Sequence, residues 1–114
     1  MTVCSFLYGI ESVGEQNMGL SLISTKEIGE YRLKRNAMLI DLREPDVYRR
    51  WHFPGALNVP IEELEAFMEQ IPKNRLLVFY CQYGNTSIQE GCRYVKRGYH
   101  ICSVVGGVDA YRRG

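Results

Sequence analysis

The chain has 114 residues, 46% of them apolar, and a formal charge of +1. That is material for one core and one domain; the near-neutral balance offers nothing to attract nucleic acid or a membrane surface, and no apolar run approaches the roughly 20 residues of a membrane-spanning helix. Four widely spaced cysteines with no CxxC, and only two histidines, suggest neither a metal site nor a disulfide framework.

Residues 1–19 carry no sustained periodicity and include Gly9, Gly14 and Gly19, so a loosely ordered extension is expected there. They lack the basic start and unbroken apolar core of a signal peptide, which points to the cytoplasm and to reduced thiols. A domain is expected over residues 20–114. Leu20 to Ile23 reads as a short strand. Ser24 and Glu27 then have the spacing of a capping box, opening a helix that should turn Ile28, Tyr31 and Leu33 to the core. Ala37 to Asp41 is a continuous apolar run of the buried-strand type. Pro45 suits the first turn of a short helix, Pro54-Gly55 a turn, and Ala56 to Val59 a short strand. Ile61, Leu64, Phe67, Met68 and Ile71 share one face of an amphipathic helix. Leu76 to Tyr80 reads as a strand, Ser87 to Lys96 as a helix closed by Gly98, and Ile101 to Val105 as the last strand before Gly106-Gly107 and a final short helix.

Strands alternating with helices predict an α/β fold, a central, mostly parallel five-stranded sheet flanked by helices. Sites in such sheets sit at the carboxyl ends of strands. Cys81 is there, directly after Tyr80 and just before a helix. A free thiol is only about 3% ionised at pH 7, so a nucleophilic cysteine needs help from its surroundings. A helix amino-terminus gives part of that help. The rest must come from the backbone N–H groups of Gln82, Tyr83, Gly84, Asn85, Thr86 and Ser87 curling around the sulfur, with Gly84 and Asn85 supplying positive φ.

These residues resemble the rhodanese family of sulfurtransferases over about residues 20 to 114. Asp41-Leu42-Arg43-Glu44-Pro45, Tyr48 and His52-Phe53-Pro54-Gly55-Ala56-Leu57-Asn58-Val59-Pro60 look like the family's first signature, with Trp51 in place of a glycine. Cys81-Gln82-Tyr83-Gly84-Asn85-Thr86 matches the active loop. Val105-Gly106-Gly107-Val108-Asp109-Ala110-Tyr111 resembles the closing signature, with Tyr111 where tryptophan is common.

The resemblance implies a Cys81 persulfide that takes sulfane sulfur from a small sulfur-containing donor, thiosulfate or a persulfide, and passes it to a thiol, cyanide or protein acceptor. No cofactor or metal is implied, and a monomer or weak dimer is expected. The hydroxyls of Thr86 and Ser87 are candidates to donate to the terminal sulfur or the donor's oxyanion. Ser87 would also cap the helix, and Tyr83 would line the pocket mouth. Arg43 is expected to pair with a carboxylate and is a candidate to attract an anionic donor. Phosphatases on this fold need C-x5-R to clamp phosphate; the sixth residue after Cys81 is Ser87, which argues against that chemistry. Uncharged Gln82 and Tyr83 favour persulfide donors over the thiosulfate dianion. The competing reading is a non-catalytic rhodanese-like module for binding or regulation.

Overall fold

The computed structural model describes residues 19–114; apart from Gly19, the expected extension over residues 1–19 lies outside the described residues. Five strands, β1 (Ser21–Ile23), β2 (Met38–Asp41), β3 (Leu57–Asn58), β4 (Leu76–Tyr80) and β5 (His100–Val104), form one sheet in the order β1-β5-β4-β2-β3. Every pairing is parallel. Parallel neighbours need crossovers, and helices supply them: α1 (Ile28–Leu33, entered by a 3-10 turn at Thr25–Glu27), α2 (Pro45–Arg50), α3 (Ile61–Glu69), α4 (Asn85–Lys96) and α5 (Gly107–Arg113).

Alternation along the strands divides the core in two. Leu77 and Phe79 of β4, with Ile40 and Ile101, face Leu64 and Met68 of α3 and Cys92, Tyr94 and Val95 of α4. Val78 and Tyr80, with Leu39, Cys102 and Val104, face Ile28 of α1 and Val108 of α5. Both faces are covered, which explains why the strand sequences are apolar throughout rather than alternating. Ser103 therefore belongs by register to the α4 face, opposite Phe79 across the sheet.

Most local expectations hold. The capping box joins Ser24 and Glu27, and Pro45 opens α2. Gly98 sits at φ 99° just beyond α4, where the Gly98 and Tyr99 N–H groups donate to Val95 and Tyr94 carbonyls, the pattern of a Schellman closure. Three expectations are corrected. Leu33, the last helical residue of α1, is 72% exposed, with no element among the described residues closing over that turn. Ile61, the first residue of α3, is 37% exposed at the helix end. α4 begins at Asn85 rather than Ser87, so its N-cap is Gly84.

Candidate active site

β4 ends at Tyr80, and the chain must turn from the middle of the sheet into α4 within four residues. Gly84 makes the turn possible: at φ 97° it takes the left-handed conformation and serves as N-cap of α4. Asn85 does not share that role; it is the first residue of α4, and Asn36 is the one non-glycine residue at positive φ among the described residues. The loop folds back over the Cys81 sulfur. The Gly84 N–H donates to Sγ at 3.1 Å and the Ser87 N–H at 3.3 Å. Ser87 is the third residue of α4, so Sγ occupies the place that a capping oxygen takes at an ordinary helix start. Two N–H dipoles and the positive end of a twelve-residue helix thus converge on one sulfur. Cys81 itself is 6% exposed.

The hydroxyl expected to cap the helix lies under the sulfur instead. Ser87 is fully buried. Its Oγ is 3.6 Å from Cys81 Sγ, donates to the Gly84 carbonyl at 3.2 Å, and stands 2.7 Å from Ser103 Oγ. Tyr83 is 66% exposed, Asn85 is exposed, and Gln82 and Thr86 are half-buried. The loop thus brings Gly84 and Ser87 to the sulfur, and leaves Tyr83 and Asn85 on the outside.

Arg43 pairs with a carboxylate as expected, that of Asp41 two residues earlier, and is itself buried. Nε and Nη2 donate to the Asp41 carboxylate at 2.8–3.2 Å, Nη2 also to the Trp51 carbonyl, and Nη1 to Gln82 Oε1 at 3.1 Å. Burial works against its charge, but hydrogen bonds and charge from Asp41 outweigh it and hold the guanidinium above its ordinary value. Most of the guanidinium is therefore engaged within the protein, and its contact with the loop runs through the Gln82 side chain. Beside it, burial and then Asp41 push the Tyr80 hydroxyl far above the usual phenol range. That hydroxyl accepts the Phe53 N–H.

The closing Gly106-Gly107 pair has a clear mechanical task. Gly106 and Gly107 lie at φ 73° and 59°, and α5 starts against the loop. Its Val108 and Asp109 N–H groups donate to the Cys81 and Gln82 carbonyls at 3.1 and 2.9 Å. A Cβ on Gly107 would overlap the Cys81 carbonyl oxygen and lie 2.7 Å from that of Gln82. The two carbonyls at the start of the loop are thereby held away from the sulfur, on the side where α5 needs acceptors.

Of the other cysteines, Cys102 is a free thiol buried on the opposite face, where burial pushes its thiol up. Cys92 is buried in α4 and is not a free thiol, which corrects the expectation of reduced thiols throughout. Nothing in the sequence links Ser103 to the loop. Its one signal is a hydroxyl inside a strand, between neighbours, Cys102 and Val104, that are apolar and buried. Such a group calls for a partner.

Residues 24–113 match the family model for the Rhodanese-like domain. The chain is 28% identical over 91 residues to the thiosulfate sulfurtransferase GlpE of Coxiella burnetii, covering 79% of this chain and 85% of that one. It is 33% identical over 52 residues to the tRNA sulfurtransferase of Pyrobaculum aerophilum, covering 46% of this chain but spanning only 11% of that protein's length. Among solved structures, a rhodanese-like domain protein from Staphylococcus aureus superposes with a TM-score of 0.72 at 20% identity, covering 81% of this chain and 91% of that one.

Proposed function

The chain belongs to the rhodanese-like domain family, and on that premise we propose that it is a sulfurtransferase working through a persulfide on Cys81. The convergence of the Gly84 and Ser87 N–H groups on Sγ carries the reading. That arrangement favours negative charge on the sulfur, the form that attacks. In the loading step the Cys81 thiolate attacks the sulfane sulfur of the donor. A Sγ–S bond forms, the donor's S–S bond breaks, and the electron pair leaves on sulfite or a thiolate. The first-turn N–H groups of Asn85 and Thr86, which have no acceptor within α4, and the half-buried Thr86 hydroxyl would then meet the charge on the terminal sulfur or the donor's oxyanion.

The donor this site suits is a persulfide rather than thiosulfate. Within the stretch from Gln82 to Ser87 no residue is charged, and the nearby Arg43 guanidinium is taken up by Asp41, Trp51 and Gln82. Exposed Tyr83 would form one wall of the mouth. A thiol, cyanide or a protein would accept the sulfur. Cys81 itself is a free thiol, and neither a cofactor nor a second subunit is needed.

The test is intact mass after incubating the reduced protein with thiosulfate and, separately, with glutathione persulfide, alongside Cys81→Ser. One added sulfur on the parent chain only, removed by cyanide, is expected, with the persulfide as the faster donor. No added sulfur from either donor on folded, reduced protein would replace this reading with a binding module.

A further inference from the structure

Next to Cys81 lies a pair of hydroxyls, one on the helix after the loop and one on β5. Ser87 and Ser103 are both fully buried and 2.7 Å apart. Ser103 is the fourth of the five residues of β5, and Ser87 is its hydrogen-bond partner among the described residues. A buried strand position facing a helix is ordinarily filled by an apolar side chain, since an unmatched hydroxyl there is costly. We propose that Ser103 is a positioning residue for sulfur release from Cys81, acting through Ser87.

Counting protons shows how. A serine hydroxyl has one hydrogen to donate and two lone pairs to accept with. While the Cys81 sulfur is a thiol, its S–H donates to Ser87 Oγ, Ser87 donates to the Gly84 carbonyl, and Ser103 donates to Ser87; each hydrogen has an acceptor at the observed distances. Once Sγ carries the charge it donates nothing. The Ser87 hydrogen then has a better acceptor in the sulfur than in the neutral carbonyl, and turning to it requires no movement of heavy atoms. Ser103 makes the turn favourable, because its own hydrogen stays on Ser87 Oγ in both arrangements and polarises that hydroxyl toward the sulfur.

The proposal rests on the persulfide reading above and assigns the hydroxyl pair to one of its two steps. Loading moves charge from Sγ to the outer sulfur. Unloading reverses this: the acceptor attacks the outer sulfur, the Sγ–S bond breaks, and its electron pair returns to Sγ. A donor that turns toward Sγ stabilises the leaving thiolate, and a better-stabilised thiolate leaves faster. In loading, the same stabilisation also restrains the attacking thiolate, so the two effects offset. Ser103 therefore belongs mainly to release.

The experiment is single-turnover unloading. Persulfidated protein is mixed with cyanide and thiocyanate appearance is followed for the parent chain, Ser103→Ala, Ser87→Ala and the double variant. Ser103→Ala is expected to unload about fivefold more slowly, the rate equivalent of one neutral hydrogen bond, while loading changes by less than about twofold. The double variant should be no slower than Ser87→Ala alone, since the two hydroxyls act as one unit. Ser103→Cys, nearly the same shape with a weaker donor, should fall between serine and alanine, and it carries the test if the alanine variant does not fold. Unloading at the parental rate in folded Ser103 variants, equal slowing of loading and unloading, or additive effects in the double variant would each overturn the proposal while leaving the sulfurtransferase reading intact. A parent chain that never takes up sulfur would overturn both.

Discussion

Two helices begin side by side at the carboxyl edge of this sheet, each from a left-handed glycine, and they spend their first-turn N–H groups differently. α4 starts at Gly84 (φ 97°) and α5 at Gly106 (φ 73°). Near the first, the Gly84 and Ser87 N–H groups point at a side-chain sulfur; at the second, those of Val108 and Asp109 point at the backbone carbonyls of Cys81 and Gln82. The device is the same, and the recipient decides whether it becomes chemistry or framework. The second helix start also supports the first. By binding the carbonyl faces of the Cys81 and Gln82 peptides, it fixes the orientation from which the rest of the loop must curl back over Sγ.

The framework helix should therefore be the more damaging to disturb, although it touches no sulfur. Gly107→Ala puts a Cβ into the Cys81 carbonyl oxygen and holds alanine at φ 59°. Because the obstruction is backbone, the loop and α5 must part. A loss of about 3 kcal/mol is expected from strain and displaced contacts, with about a hundredfold slower sulfur loading because the loop moves relative to its sulfur. Urea denaturation and timed mass spectrometry read the two effects. Gly84→Ala tests the other helix start. Its Cβ would lie 2.9 Å from the Gly106 nitrogen, at φ 97°, so about 1–2 kcal/mol of left-handed strain is expected. Loading should fall about tenfold as one N–H leaves the sulfur. If Gly84→Ala proved the more destabilising of the two, α5 would not be the support described here.

How much of this was legible in the sequence follows from the range of the interactions. The strands, the position of Cys81 and the glycine turn depend on local apolar pattern and backbone freedom, and they read correctly from Leu76 to Gly84. The helix start was misplaced by two residues because Ser87 looks like an N-cap; the actual cap needs only a left-handed glycine, while the sulfur accepts the N–H that a serine oxygen would otherwise take. Pairing of Arg43 with a carboxylate is legible in the sequence, yet its link to Gln82, 39 residues away, depends on β2 and β4 lying side by side. The Ser87–Ser103 contact was invisible for the same reason: it spans α4 and β5, and either serine alone is unremarkable.

The framework side can also be titrated. Tyr80 closes β4 on the face covered by α5, and its hydroxyl is held protonated by burial and by Asp41. Its folded value lies above its unfolded one, so its contribution is complete below about pH 10, where the unfolded phenol is still neutral, and is lost as pH rises beyond that. Stability should fall by up to about 1.4 kcal/mol per pH unit above that point. Urea midpoints between pH 9 and 11 measure the slope, and Tyr80→Phe should flatten it. An equal slope in the variant would assign the alkaline loss to other groups.

The smallest expected effect separates backbone from side chain at Gln82, the residue where the two helix starts meet. Its carbonyl accepts from Asp109 of α5, and its side-chain oxygen accepts from Arg43. If the loop is shaped by α5 acting on the backbone, Gln82→Ala removes only the Arg43 hydrogen bond. Arg43 keeps Asp41 and the Trp51 carbonyl, and its freed N–H lies beside a half-buried position that water reaches. A loss of about 1 kcal/mol or less is then expected, with sulfur loading within about threefold of the parent. Gln82→Glu sharpens the point: it retains an acceptor for Arg43 but adds negative charge beside the sulfur, so an anionic donor should load more slowly than with Gln82→Ala even though the side-chain bridge is preserved. A loop whose loading followed the bridge rather than the charge would be organised from the Arg43 side. The support would then pass from α5 to the first signature.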